Sequence, residues 1–340
     1  ANLTTNKVPP LMLKARVLRV QGKETEAERV LEEVIQIDPE HREAYLQWVD
    51  IAGKAERHQD ALARTAIMLE KNPNDPTGLF LRAMLMEKKG DHPEAMKSYE
   101  ALTQVATNSF VAFNNLAWLI GDKLGDWKKA AEYARKAYEI RRTDPSTIDT
   151  YGWALFNLGD YAAAFPLIQE AANALPGHPE VAYHLGAVLY MNGRETAAEQ
   201  ALVRSLASTN SQPWLEDAQA RLAVIRVQPE SAGPPQARLI EQAVQRNERD
   251  ALAVFKLGRI HEKNSATNEA FSHYEKALAI LPRFAPAAER LAALLAAQGN
   301  TDRAFQLARS ALEWDPGNGH IRALLGGLAL QRKEFSLARG

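Results

Sequence analysis

A single small residue fixes most of what this chain can fold into. Ala27, Ala61, Ala95, Ala130, Ala164 and Ala198 follow one another at steps of 34, 34, 35, 34 and 34, and the series resumes at Ala270, Ala304 and Ala338. The gap of 72 between Ala198 and Ala270 leaves room for one degenerate unit between two regular ones. A fixed period of this length belongs to a stack of supersecondary units, each too small to bury its apolar face alone. It overrides the two or three ordinary domains that 340 residues would otherwise imply.

Two further series keep the same phase. Five residues before each alanine stand Gly22, Glu56, Gly90, Gly125, Gly159, Gly193, Ser265, Gly299 and Lys333, mostly the glycine a helix takes just past its C-terminus. Further upstream lie Ala15, Val49, Ala83, Ala117, Gly152, Gly186, Gly258, Ala292 and Gly326, where little side chain would hold two helices apart. Pro39, Pro73, Pro176, Pro282 and Pro316 close most units. Between these markers apolar residues recur at helical spacing, as in Leu155 and Leu158, then Ala164, Leu167, Ile168 and Ala171. Strand alternation is nowhere sustained, so the fold expected is all-α, two amphipathic helices to a unit.

Complete units are expected at 8–41, 42–75, 76–109, 110–144, 145–178, 179–212, 251–284 and 285–318, with a partial one at 319–340. The fourth carries an extra residue near Gly125, which predicts a longer turn and a local change of pitch. The stretch QPESAGPP at 228–235 gathers Pro, Gly and Ser between two helical patterns. It divides the chain into 1–226, six regular units and a capping helix; 227–235, a linker or loop; and 236–340, a second section. A single solenoid with a long loop in its seventh unit fits the same residues. The last unit stops partway into its second helix, so further repeats or a partner are expected against Phe335 and Leu337.

Composition narrows function mainly by exclusion. Lys and Arg number 41 against 42 Asp and Glu, a net charge of −1 that gives no general attraction to nucleic acid or an anionic membrane. With no cysteine there is no disulfide, thiolate metal site or cysteine nucleophile. No apolar run approaches the ~20 residues of a spanning helix. The opening ANLTTNKVPP has neither an initiator Met nor a signal-peptide core, as expected of a mature form or an excised fragment. No HExxH, phosphate-binding glycine loop or GxSxG occurs, and the eight histidines are scattered. His178 and His184 straddle a unit boundary and read as polar helix-end residues. No catalytic residue, metal or cofactor is expected.

With its Leu-Gly-x-x-Tyr-like first helices, the Gly159-Asp160-Tyr161 turn, the phased alanines and the closing prolines, the chain resembles the tetratricopeptide repeat (TPR) family over 8–340. That resemblance implies a right-handed superhelical solenoid of about nine to ten helix-turn-helix units, whose first helices line a concave groove. The groove would present Phe80 and Met84, then Asn114 and Trp118, then Asp149, Trp153, Phe156 and Asn157, then Tyr183, His184, Tyr190 and Met191. Aromatic rings with a few polar handles suit an extended peptide, a partner helix or the face of a sugar. Trp118 and Trp153 could equally pack between helices and show only an edge. Trp127 and Tyr161, two residues past their turn glycines, are expected in the inter-repeat core. The family's carboxylate clamp needs Lys, Asn and Arg in the groove slots, and only Arg16 and Arg259 stand there.

FNNLAWLI (113–120), DTYGWALFNLGDYAAA (149–164) and VAYHLGAVLYMNGRETAAEQAL (181–202) resemble bacterial envelope TPR proteins of exopolysaccharide export, the TPR lipoproteins of PEP-CTERM/exosortase clusters foremost. The match covers 113–226, but here repeats resume after the capping helix. It implies a periplasmic scaffold, held at the outer membrane by an upstream lipid anchor, that binds protein partners in its groove, with polysaccharide as a further ligand, without turnover. A cytosolic regulatory TPR adaptor, and the substrate-recruiting arm of a glycosyltransferase outside this segment, are the competing expectations.

Overall fold

The computed structural model describes residues 7–207 and 212–332. Within them the chain forms nineteen α-helices and a short 3-10 turn at Pro229–Ser231, with no strand among the described residues. Lys333, Phe335, Leu337 and Ala338 lie outside the described residues. The helices pair as α1 (Val8–Val20) with α2 (Glu24–Ile37), α3 (Arg42–Lys54) with α4 (His58–Lys71), α5 (Pro76–Lys89) with α6 (His92–Val105), and α7 (Phe110–Leu124) with α8 (Trp127–Ile140). Next along the chain come α9 (Pro145–Asn157), then α10 (Tyr161–Ala174), then α11 (Pro179–Met191) paired with α12 (Glu195–Ser205). The irregular pair is α13 (Leu215–Arg226) and α14 (Pro234–Arg246). Regularity returns with α15 (Ala251–Lys263) and α16 (Thr267–Ile280), α17 (Ala285–Ala297) and α18 (Thr301–Trp314), and α19 (Gly319–Gln331). Each unit start read from the period coincides with the first residue of a first helix.

The described residues of the turn series share one conformation. Gly22, Gly90, Gly125, Gly159, Gly193 and Gly299 all have positive φ, and so do Glu56 (58°) and Ser265 (62°), where a side chain must tolerate the left-handed region. The residue after the turn is often an N-cap: Asp91, Asp126, Asp160 and Asn300 each accept a backbone N–H three residues on. Gly-Asp thus ends one helix and starts the next in two residues. Every described alanine of the first series is at most 1% exposed. At Gly186 an added Cβ would lie 2.6 Å from Leu202 Cγ, and at Gly258 it would lie 2.8 Å from Tyr274 Cε1, so these small residues permit helix contact that any side chain would block. The extra residue of the fourth unit lengthens α7, and the half-buried Trp127 lays its ring over Gly121 of that helix.

The chain divides into two compact units, 1–158 and 159–340. In the first, buried residues of successive helices merge into cores around Leu31, Tyr45 and Trp48 and around Tyr99, Leu116 and Leu119. In the second, residues 181–191 of α11 and 251–258 of α15 are buried without interruption. The Pro/Gly stretch belongs to this second unit and is held on α15: Lys256 Nζ donates to the carbonyls of Ile225 (2.6 Å) and Val227 (3.0 Å), and Lys263 Nζ to that of Ala232 (2.9 Å). Arg259 pairs with Glu230 on the same stretch.

Candidate functional site

In the first unit the groove residues expected from the sequence fall on the first helices α5, α7 and α9. Phe80 and Met84 stand one turn apart on α5, Phe80 half-buried and Met84 44% exposed. They form one wall of a cleft of about 300 Å³ whose other wall is Leu46, Val49 and Asp50 of α3. Leu46 and Asp50 precede Phe80 and Met84 by one period, so extending the series one unit upstream would have found them. Charge rims this apolar cleft. Lys54 Nζ lies 3.0 Å from Asp50, and Lys88 Nζ donates to the Gly53 carbonyl at 2.8 Å, so each helix contributes one cation to the cleft. Burial pushes the Asp50 carboxyl up, but Lys54 and Arg19 outweigh it and hold it below its ordinary value. The carboxylate is therefore ionised across the physiological range.

On α7, Asn114 and Trp118 are both half-buried. Trp118 packs against the core around Leu116 with Lys123 Nζ 5.4 Å above its ring, while Asn114 Oδ1 is buried without a hydrogen-bond partner. On α9, Trp153 stacks on Phe156 with centroids 4.6 Å apart and planes at 6°, and the exposed Asn157 donates its side-chain amide to the Trp153 carbonyl at 2.9 Å. Asp149 and Phe156 are each 8% exposed, so half of this cluster faces inward. Tyr151, across Gly152, stacks on Tyr138 of α8 at 5.6 Å.

The second unit treats its share differently. Tyr183, His184, Tyr190 and Met191 of α11 are all buried, and the two tyrosines point their hydroxyls at carboxylates of their own chain. Tyr183 donates to Asp217 Oδ2 of α13 at 2.9 Å, and Tyr190 to Asp250 Oδ2, the N-cap of α15, at 2.7 Å. Arg221 bridges these pairs: it is bonded to Asp217 and lies 5.1 Å over the Tyr190 ring. Burial pushes the Asp250 carboxyl up and drives the Tyr190 hydroxyl well above its ordinary value, so that hydroxyl stays a donor. The sequence places these side chains in an open groove; here α13 and α15 pack against α11 and leave them no open face. Nothing in the sequence short of the irregular 212–246 unit signals it.

Among the described residues no three His, Asp or Glu side chains gather closely enough to hold a metal, and no helix is long and apolar enough to cross a membrane. What the first unit offers instead is an apolar cleft with a charged rim on paired helices of constant period.

A tetratricopeptide repeat family model matches residues 36–211, and further models of the same description match 234–288 and 295–340. The chain belongs to the tetratricopeptide repeat family. It is 27% identical over 180 residues to the TPR repeat-containing protein PA4667 of Pseudomonas aeruginosa, a match spanning 53% of this chain and 30% of that protein's length. Among solved structures it is similar to the TPR domain of P58(IPK), at 14% identity and a TM-score of 0.40 over 96% of this chain and 99% of that one. A tetratricopeptide repeat protein from Parabacteroides merdae gives 17% identity and a TM-score of 0.37 over 75% and 98%. TPR chains are generally non-catalytic scaffolds for protein–protein interaction.

Proposed function

We propose that this TPR chain is a non-catalytic scaffold of the bacterial periplasm that holds protein partners of exopolysaccharide synthesis or export. The observation that carries the binding part is the cleft between α3 and α5. Leu46, Phe80 and Met84 offer apolar surface already shaped for an inserted side chain, and Asp50, Lys54 and Lys88 can orient a peptide backbone at its mouth. Such a site needs no reacting group, and its affinity would come from burying one or two large apolar side chains of the partner. The envelope assignment rests on the phrases at 113–120, 149–164 and 181–202, with a bacterial relative sharing the repeat architecture over part of its length.

Immobilised chain challenged with separate envelope and soluble fractions tests both parts. Wild type is expected to retain defined proteins from the envelope fraction, and the Met84→Glu variant, which puts a carboxylate into the apolar cleft, to lose them. Equal retention by Met84→Glu would remove the cleft from the reading. Retention solely from the soluble fraction would remove the periplasm.

A further inference from the structure

The near-zero net charge hides a segregation of charge along the first unit. On α8, Lys129, Glu132 and Lys136 are all exposed and lie on one face, with Lys128 and Arg135 beside them. On α2, Glu26, Arg29 and Glu33 are likewise exposed. Glu26 and Lys129 each immediately precede the phased alanine, at Ala27 and Ala130; Arg29 and Glu132 follow it by two residues, Glu33 and Lys136 by six. The same three positions of the repeat thus read acid-base-acid on one helix and base-acid-base on the other. Intervening second helices do not share the pattern: α4 has Asp60, Ala63 and Ile67 there, and α6 has Glu94, Lys97 and Ala101.

Three of the five carboxylates of α2 lie within ion-pair distance of an arginine of the fold, Glu28 of Arg57 at 2.6 Å, Glu32 of Arg64 at 3.2 Å and Glu24 of Arg19 at 3.6 Å. Glu26 and Glu33 have no ion pair among the described residues, and neither does Lys136; Lys129 has only Glu100 at 3.8 Å. The two lysines are steadied from below by one ring, Tyr133, with Lys129 Nζ 5.9 Å and Lys136 Nζ 5.6 Å from its centroid. In each row the like charges stand about 10.5 Å apart along the axis. Two helices laid side by side bring all three opposite pairs together at once.

We propose that α8 of one molecule docks on α2 of a second copy through these three inverted positions. The contact is heterologous, acid face from one copy and basic face from the next, so it propagates copies head to tail unless a ring closes. Charge provides register and orientation more than strength, so the association is weak and salt-sensitive.

Sedimentation velocity on the full chain tests it. At about 10 mM salt, where the Debye length is about 30 Å, wild type is expected to sediment faster with rising concentration; at about 1 M salt, where it is about 3 Å, the dependence is expected to vanish. Lys129→Glu/Lys136→Glu is expected to weaken self-association at least about tenfold, and so is Glu26→Lys/Glu33→Lys. An equimolar mixture of the two variants restores acid-to-base contacts and is expected to re-associate, which also shows that both are folded. A concentration-independent monomer at low salt overturns the proposal, as does self-association unchanged by either reversal. Two dispersed variants that stay dispersed when mixed overturn it too, and leave the basic row to some other anionic partner.

Discussion

Tyr190 and Asp250, sixty residues apart, meet in the second unit through a hydrogen bond of 2.7 Å between hydroxyl and carboxylate, both groups buried. The bond joins α11 to the cap of α15 across the irregular pair between them. Tyr190→Phe keeps the ring and removes only the donor, so it is expected to cost about 1.5–3 kcal/mol, the range for a hydrogen bond to a charged group. Amide exchange should accelerate in α11 and α15 while the first unit is unaffected; uniform acceleration would show that the bond does not act locally.

Lys256, 4% exposed, is the buried one of the three cations that hold the 227–235 stretch, through the carbonyls of Val227 and the preceding Ile225 and a pair with Glu195 at 2.7 Å. Lys256→Met fills its volume but strands the carboxylate and both acceptors. Breaking a buried pair from one side costs about 3–5 kcal/mol, here discounted because Glu195 is partly exposed. Limited proteolysis should then cut within 227–235 before any other site. Unchanged cleavage would mean that Arg259 and Lys263 suffice to hold the stretch.

These two contacts show where sequence reading stops. The period located the first helix of every regular unit and, among the described residues, the left-handed turns, because a repeat needs the same backbone geometry at the same phase and only a few residue types supply it. Retreating one period from Phe80 and Met84 reaches Leu46 and Asp50, so the other wall of the cleft was legible in the sequence. Tyr183 and Tyr190 were not, since their environment depends on α13 and α15, and the 72-residue gap breaks the phase that would have predicted those contacts. Trp153 sits between the cases: helical spacing puts it beside Phe156, but only the 6° stacking shows that the two rings act as one surface.

The turn of the 251–284 unit departs from Gly-Asp at both residues. Ser265 holds φ at 62°, and Ala266 is an N-cap with no side-chain acceptor. Ser265→Gly relieves left-handed strain of about 1–2 kcal/mol against an entropic cost of about 0.5–1 kcal/mol, and Ala266→Asp adds a cap worth about 1 kcal/mol. The double variant is expected to raise the denaturant midpoint of the second unit. A lowered midpoint would show that Ser265 has a compensating role.

Stacked His261 and His273, with centroids 5.0 Å apart, make this unit sensitive to mild acid. Burial first, then the charge of His273, lowers the His261 pKa from its ordinary 6.5, opposed by Glu269 and Glu241. The folded state therefore binds its proton less readily than the unfolded chain. The stability involved is fully present above about pH 6.5 and declines as pH falls below it toward the lowered folded value. Urea midpoints measured between about pH 7.5 and 5.5 should fall for wild type and flatten for His261→Gln. Parallel slopes for the two proteins would place the pH dependence elsewhere.

Met84 and Trp118 separate binding from packing in the proposed groove. Met84 is 44% exposed over the cleft, so Met84→Ser removes partner surface at a stability cost within about 0.5 kcal/mol. Trp118 is half-buried against the core around Leu116, and Trp118→Ala is expected to cost about 3 kcal/mol or somewhat less, given its residual exposure. Captured partner is expected to fall with Met84→Ser at unchanged thermal midpoint, whereas Trp118→Ala should lower both together. Should Met84→Ser keep full capture while Trp118→Ala loses it at an unchanged midpoint, the binding surface would lie on α7 and the cleft would be a packing fault between α3 and α5.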